Sequence, residues 1–196
     1  MSSKGSDDKS TLHADFNRDI NFLRNNMQPL EQSGKKIEKL DYEGNAQECL
    51  SDAMVQELAK ALLCNDKFCG SVKLDKNGLT DLAVLAIADV LRKPEHQNIT
   101  KLSLEGNEAL TCKAGEYVGQ ALIDNYDKSI LRELDFSDID LGTRGLIRVI
   151  DAANKTPALE KLNVGVLTDN ALLLLAERLE PNQHLLELKF AETCDH

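Results

Sequence analysis

At 196 residues the chain fits one domain, with 42% hydrophobic residues to fill a core but only 4% aromatics and no Trp. The net charge of −10 and pI near 4.9 exclude a nucleic-acid binder, which needs Lys and Arg to displace phosphate counterions. They also disfavour an anionic membrane surface and suit a protein partner with a basic patch. Leucine supplies 32 residues, the composition of stacked layers that each present the same hole to the next. The first ten residues are polar and carry no secretory signal. Apolar runs such as Ala171 to Ala176 are far too short for a bilayer. A cytoplasmic location follows as the expectation. The five cysteines form no CxxC pair, as expected of buried or partly buried thiols in a reducing compartment.

In chain order, residues 1–10 read as a disordered tail. Residues 11–36 read as an N-terminal capping helix and its connection, with Phe16, Ile20 and Leu23 at helical spacing. From residue 37 to 196 the sequence repeats. Ile37–Asn45, Cys69–Asn77 and Ile99–Asn107 are each apolar at places one, four and six and end in Asn. Leu131, Leu134 and Phe136 keep the apolar places without the Asn, as do Leu159, Leu162 and Val164, and then Leu185, Leu188 and Phe190. The starts are spaced by 32, 30, 32, 28 and 26 residues. Alternation at places four and six predicts a short strand with one face inward. The reading places Cys69 in the core.

Between the strands, apolar residues recur every fourth place: Leu50, Met54, Leu58, Leu62, then Leu79, Ala83, Ile87, Leu91. Leu110, Ala114, Val118, Leu122 continue the frame, followed by Leu141, Gly145, Val149, Ala153 and Leu167, Ala171, Leu175, Leu179. This spacing marks one face of a helix, and four of the five carry Ala or Gly at the second place so that the helix start lies close to its strand. Ser51, Thr80, Thr111, Thr143 and Thr168 precede the helical runs as expected N-caps. Five strand–helix repeats and a terminal strand predict a parallel sheet about 24 Å wide, curved into an arc with helices outside. Asn45, Asn77 and Asn107 are expected to form a ladder at the turns that follow the strands. In the second half, where Ile139 replaces Asn, the turn geometry should change.

The pattern LxxLxLxxN, followed by a helix at this period, resembles the ribonuclease-inhibitor-like leucine-rich-repeat family from Ile37 to about Phe190. The resemblance implies an α/β solenoid arc, six short parallel strands on the concave face, helices on the convex face, and protein binding. Within that family, repeat number and acidic balance are similar to the tropomodulin C-terminal domain, an actin pointed-end cap. The segment before the repeats departs from that pattern, lacking a long amphipathic stretch for a tropomyosin-binding arm.

A catalytic reading needs convergent groups, and the sequence offers none. His13, His96, His184 and His196 are scattered along the stack. Cys64 and Cys69 lack the further ligands of a zinc site. No enzyme, metal or cofactor is expected. Places three, five and seven of each strand should face the concave side. The candidate partner-binding residues there are Asp41, Glu43, Lys73, Asp75, Lys101, Glu105, Glu133 and Asp135. Two readings compete for this face: a solvated surface neutralised by cross-strand lysines, or an acidic ridge (Glu43, Asp75, Glu105) that receives a partner's Lys or Arg. The leading functional expectation is a cytosolic adaptor or scaffold. A tropomodulin-like cytoskeletal component and a regulator of an enzyme such as a GTPase stand beside it. The last strand is expected to leave an exposed edge where a partner or second copy could pair.

Overall fold

Strand and helix signals alternate in the computed structural model as they do in the sequence; it describes residues 11–93 and 98–192. The expected tail at 1–10 lies outside the described residues. Helix α1 (Leu12–Arg24) comes first, then β1 (Lys39–Asp41), α2 (Asp52–Leu63), β2 (Gly70–Lys73), α3 (Asp81–Arg92) and β3 (Ile99–Ser103). They are followed by α4 (Cys112–Asp124), β4 (Glu133–Asp135), α5 (Gly142–Lys155), β5 (Lys161–Leu167), α6 (Asp169–Leu179) and β6 (Glu187–Glu192). The strands form one parallel sheet in sequence order, β1 to β6, open at both edges. Right-hand neighbours are always the next repeat, as a solenoid requires.

Register follows the expected alignment. Leu40, Val72, Leu102, Leu134, Leu162 and Leu188 stand side by side across the sheet. The first five are at most 2% exposed. The every-fourth-place frame of α3, α4 and α5 is wholly buried, so strands and helices share one core. Beside the first repeat, α1 packs Phe16, Ile20 and Leu23 into that core. It also carries the buried Asp19, which accepts hydrogen bonds from Tyr42 Oη (3.0 Å) and Arg18 Nε (2.9 Å). Burial raises the Asp19 carboxyl above its ordinary value against the pull of Arg18, and holds the Tyr42 hydroxyl far above its own.

Asn77 and Asn107 sit buried at the turns. Asn107 Oδ1 accepts from the amides of Asn77 (3.0 Å) and Leu79 (3.1 Å), while its Nδ2 donates to the carbonyls of Leu74 and Leu104. Asn77 repeats this one layer back, accepting from Leu50 and donating to Tyr42 and Asp75. Asn45 is not the third rung. Each rung pins the turn of the preceding repeat, and the first repeat has none behind it. Asn45 is exposed and closes only its own turn through the amides of Gln47 and Glu48.

Three other expectations need correction. Cys69 is exposed; Phe68 fills the core instead, and the sheet register shifts beside Gly70 to allow it. Cys49 and Cys64 are exposed too and Cys112 is half-buried, so the described thiols are mostly surface groups and not core hydrophobes. Thr143 is not an N-cap: α5 starts at Gly142, whose φ of 56° and bond to Asp140 Oδ1 turn the chain without a side-chain cap. Gly145 lets two helices approach closely, because a Cβ there would lie 2.7 Å from the carbonyl oxygen of Cys112 in α4.

The return side holds a second set of buried amides that the repeat pattern does not announce. Asn65 donates to the carbonyls of Leu23 and Met27 and accepts from the amides of Lys67 and Phe68. Asn98 donates to Leu62 and Asn65, and Asn125 to Leu91. Asn98 heads the Asn-Ile-Thr sequon, and with its amide buried in this way the folded chain cannot present it for glycosylation. The changed turn expected in the second half is present. There β5 runs on to Leu167, and Gly165 (φ 77°) passes so near Ile139 that a Cβ would lie 2.1 Å from its carbonyl oxygen.

Candidate functional site

The concave face is built by side chains at places three, five and seven, which the pleat turns away from the helices. Across the sheet, place three reads Lys39, Ser71, Lys101, Glu133, Lys161, Glu187, and place five reads Asp41, Lys73, Ser103, Asp135, Asn163, Lys189. Parallel strands hold these columns in step, so charges on successive strands become neighbours.

The resulting pairs cross strand after strand. Glu43 is bound by Lys73 and by Lys76, the latter at 2.8 Å. Lys76 also reaches Glu105 at 3.4 Å, tying β1, β2 and β3 together outside the sheet. Glu133 receives Lys101 (2.6 Å) and Lys161 (3.2 Å) from the strands on either side. Asp41 pairs with Lys39 on its own strand at 2.5 Å. Bonds from Lys73 and Lys76 hold the Glu43 carboxyl down at about 2, and Lys101 followed by Lys161 lowers Glu133.

Of the eight expected residues, seven reach the concave surface and Asp75 does not. Asp75 is 1% exposed, and burial pushes its carboxyl up against the opposing pull of Ser103 and of Lys73, 3.4 Å away. The three-residue acidic ridge is therefore one buried carboxylate flanked by two that lysines already hold. Lys76 was missed by reading places three, five and seven alone. It stands at place eight, where φ is 55°, and the turn there swings its side chain back over the sheet. Six lysines (39, 73, 76, 101, 161, 189) face six surface carboxylates (41, 43, 105, 133, 135, 187). The surface charges on this face therefore balance, and the acidic excess behind the chain's −10 lies on the turns, helices and ends.

Two of the four histidines fall within the described residues. His13 and His184 lie at opposite ends of the stack, each with its Nε2 against a main-chain carbonyl, of Cys49 and Ala153 respectively. His96 and His196 are outside the described residues. Among the described residues no group of His, Cys, Asp or Glu is arranged to hold a metal ion, and no helix is long and apolar enough to cross a membrane.

No family model matches the sequence, and no curated protein does. Solved structures do resemble it. The leiomodin-1 actin-binding site 2 superposes with a TM-score of 0.64 at 19% identity, covering 85% of this chain and 88% of that one. The tropomodulin C-terminal domain of Caenorhabditis elegans gives 0.65 at 15% identity, covering 86% and 93%. The chain thus has a leucine-rich-repeat-type α/β fold similar to the tropomodulin and leiomodin domains.

Proposed function

We propose that this chain is a non-enzymatic, cytoplasmic protein-binding module of the cytoskeleton, with actin as its partner. One observation carries the reading: the likeness to a domain named as an actin-binding site extends over 85% of this chain and not over one or two repeats. The general adaptor reading has no comparable support. Fold alone hosts many partners, so the proposal rests on its test. Co-sedimentation with filaments and the rate of actin elongation in the presence of the chain are the measurements. Binding, or slowed elongation, at micromolar protein is the expected result; no effect on either sinks the actin reading.

Within this reading the concave face is the proposed contact, through Asp41, Glu43, Lys73, Lys101, Glu105, Glu133 and Asp135. Carboxylates already paired at the surface exchange one ammonium for another with little desolvation, which favours selectivity and association rate over raw affinity. Replacing Glu43 and Glu105 together with Lys sets four lysines side by side on β1 to β3 and should weaken capture of the partner. Helical circular dichroism should stay unchanged, because both side chains are outside the core. Undiminished capture would move the contact to the acidic helix side.

A further inference from the structure

The sixth layer of the core is unlike the five before it. Leu188 is only partly buried, Phe190 is 40% exposed and Leu186 is 79% exposed. Among the described residues β6 has one strand neighbour, β5, and its other edge is bare. At the start of the strand the amides of Leu186 and Glu187 both donate to the Glu160 carbonyl on the β5 side, and regular alternation begins at Glu187. Because main-chain groups alternate along a strand, Leu188 and Phe190 aim theirs at the bare edge. An apolar edge of this kind is a template for another strand.

We propose that this edge joins two copies of the chain, β6 against β6, antiparallel about a two-fold axis at Leu188. Charge selects both the occupant and the register. With Leu188 opposite Leu188 of the second copy, Glu187 faces Lys189 on both sides of the axis, and Leu186 stands over Phe190. The outward main-chain groups of the two Leu188 residues then bond each other, as a hydrogen-bonded antiparallel pair requires. Slipping the register by two residues one way sets Lys189 against Lys189, and the other way sets Glu187 against Glu187. Opposite charges across a pair of strands stabilise it and like charges destabilise it, so one register stands out. The contact is self-complementary and consumes the β6 edge of both copies, so association through this edge stops at the dimer.

The proposal is independent of actin binding and is tested without it. Light scattering behind gel filtration should show a dimer of the full chain at micromolar concentration. Lys189→Glu places two like-charged pairs at the axis and should weaken the dimer roughly tenfold, the equivalent of two cross-strand pairs changing sign. Glu187→Lys combined with Lys189→Glu restores the opposition and should recover dimerisation, with helical circular dichroism confirming that both variants fold. Three results would overturn the proposal. One is a monomer throughout the micromolar range. Another is a dimer indifferent to Lys189→Glu, and the third is an open-ended polymer.

Discussion

Repeats one and two and the last strand occupy equivalent places in one sheet, yet they are held by different means. In the former, each turn is pinned from the next repeat by a buried amide, and each helix start is tied forward. Asp52 accepts from the amide and hydroxyl of Thr80, and Asp81 does the same for Thr111. The ties stop at α4, where Cys112 takes the place of the Asp, and close glycine contacts between α4 and α5 replace them. At β6, among the described residues, the core side chains have a strand neighbour on one side only. A solenoid is a sum of layers and the interfaces between them, so an interior layer has two interfaces and an end layer one. Substitutions at matched places should show that difference directly.

The largest effect is expected at the turn amides. Asn107→Ala removes one side chain that serves four main-chain groups, leaving two amides and two carbonyls buried without partners. At about 1–3 kcal/mol for each unsatisfied group, partly relieved by relaxation, the loss should be about 4 kcal/mol. Asn45→Ala, the same residue type at the same place of the motif, should cost under about 1 kcal/mol, because water replaces its local bonds. Urea unfolding of the two variants measures both. Equal losses would mean that the turns are not pinned by this ladder.

A smaller contrast is expected inside the core. Leu102→Ala opens a cavity between two packed layers and should cost about 3 kcal/mol. Leu188→Ala, directly along the same row, should cost about 1 kcal/mol in the monomer, since much of that side chain already meets solvent. If dimerisation covers β6, the second value rises with protein concentration while the first does not. Measuring both at two concentrations separates a weak end layer from a covered one.

The fold was legible because spacing is geometry. A leucine every fourth place can only line one helix face, and the strand rows then fall into step, as Leu40 through Leu188 do. What escaped were choices between neighbours that satisfy the same pattern. Phe68 and Cys69 both follow a return loop; the larger side chain takes the core, and a shifted register absorbs the offset. Thr143 looks like Thr80 in sequence, but only the positive φ of Gly142 shows that the turn is made differently. The return-side amides of Asn65, Asn98 and Asn125 carry no periodic signal, since the loops that hold them differ in length. On the concave face, spacing placed the columns correctly, whereas the burial of Asp75 and the reach of Lys76 depend on how side chains cover one another.

The smallest expected effect lies in the charge lattice, the one feature that both halves share. Glu43 sits at about 2 in the folded chain against an ordinary 4.5, so its contribution is present above pH 4.5 and is lost as pH falls from there toward 2. Glu133, lowered by Lys101 and Lys161, behaves the same way. Asp75 and Asp19 are raised by burial and have the opposite sign: they favour folding below the ordinary 3.8, and that help is lost as pH rises through their raised values. Acid unfolding should therefore be shallow, with the two kinds of carboxylate partly cancelling. Glu43→Gln should remove about 0.5 kcal/mol at neutral pH, as exposed pairs do after solvent screening, and leave the acid limb flatter. Asp75→Asn should act in reverse, raising neutral stability slightly and steepening the acid limb. Thermal midpoints of the two variants across that pH range decide it, and a steeper acid limb in Glu43→Gln would show that Lys73 stabilises the arc through Asp75 instead.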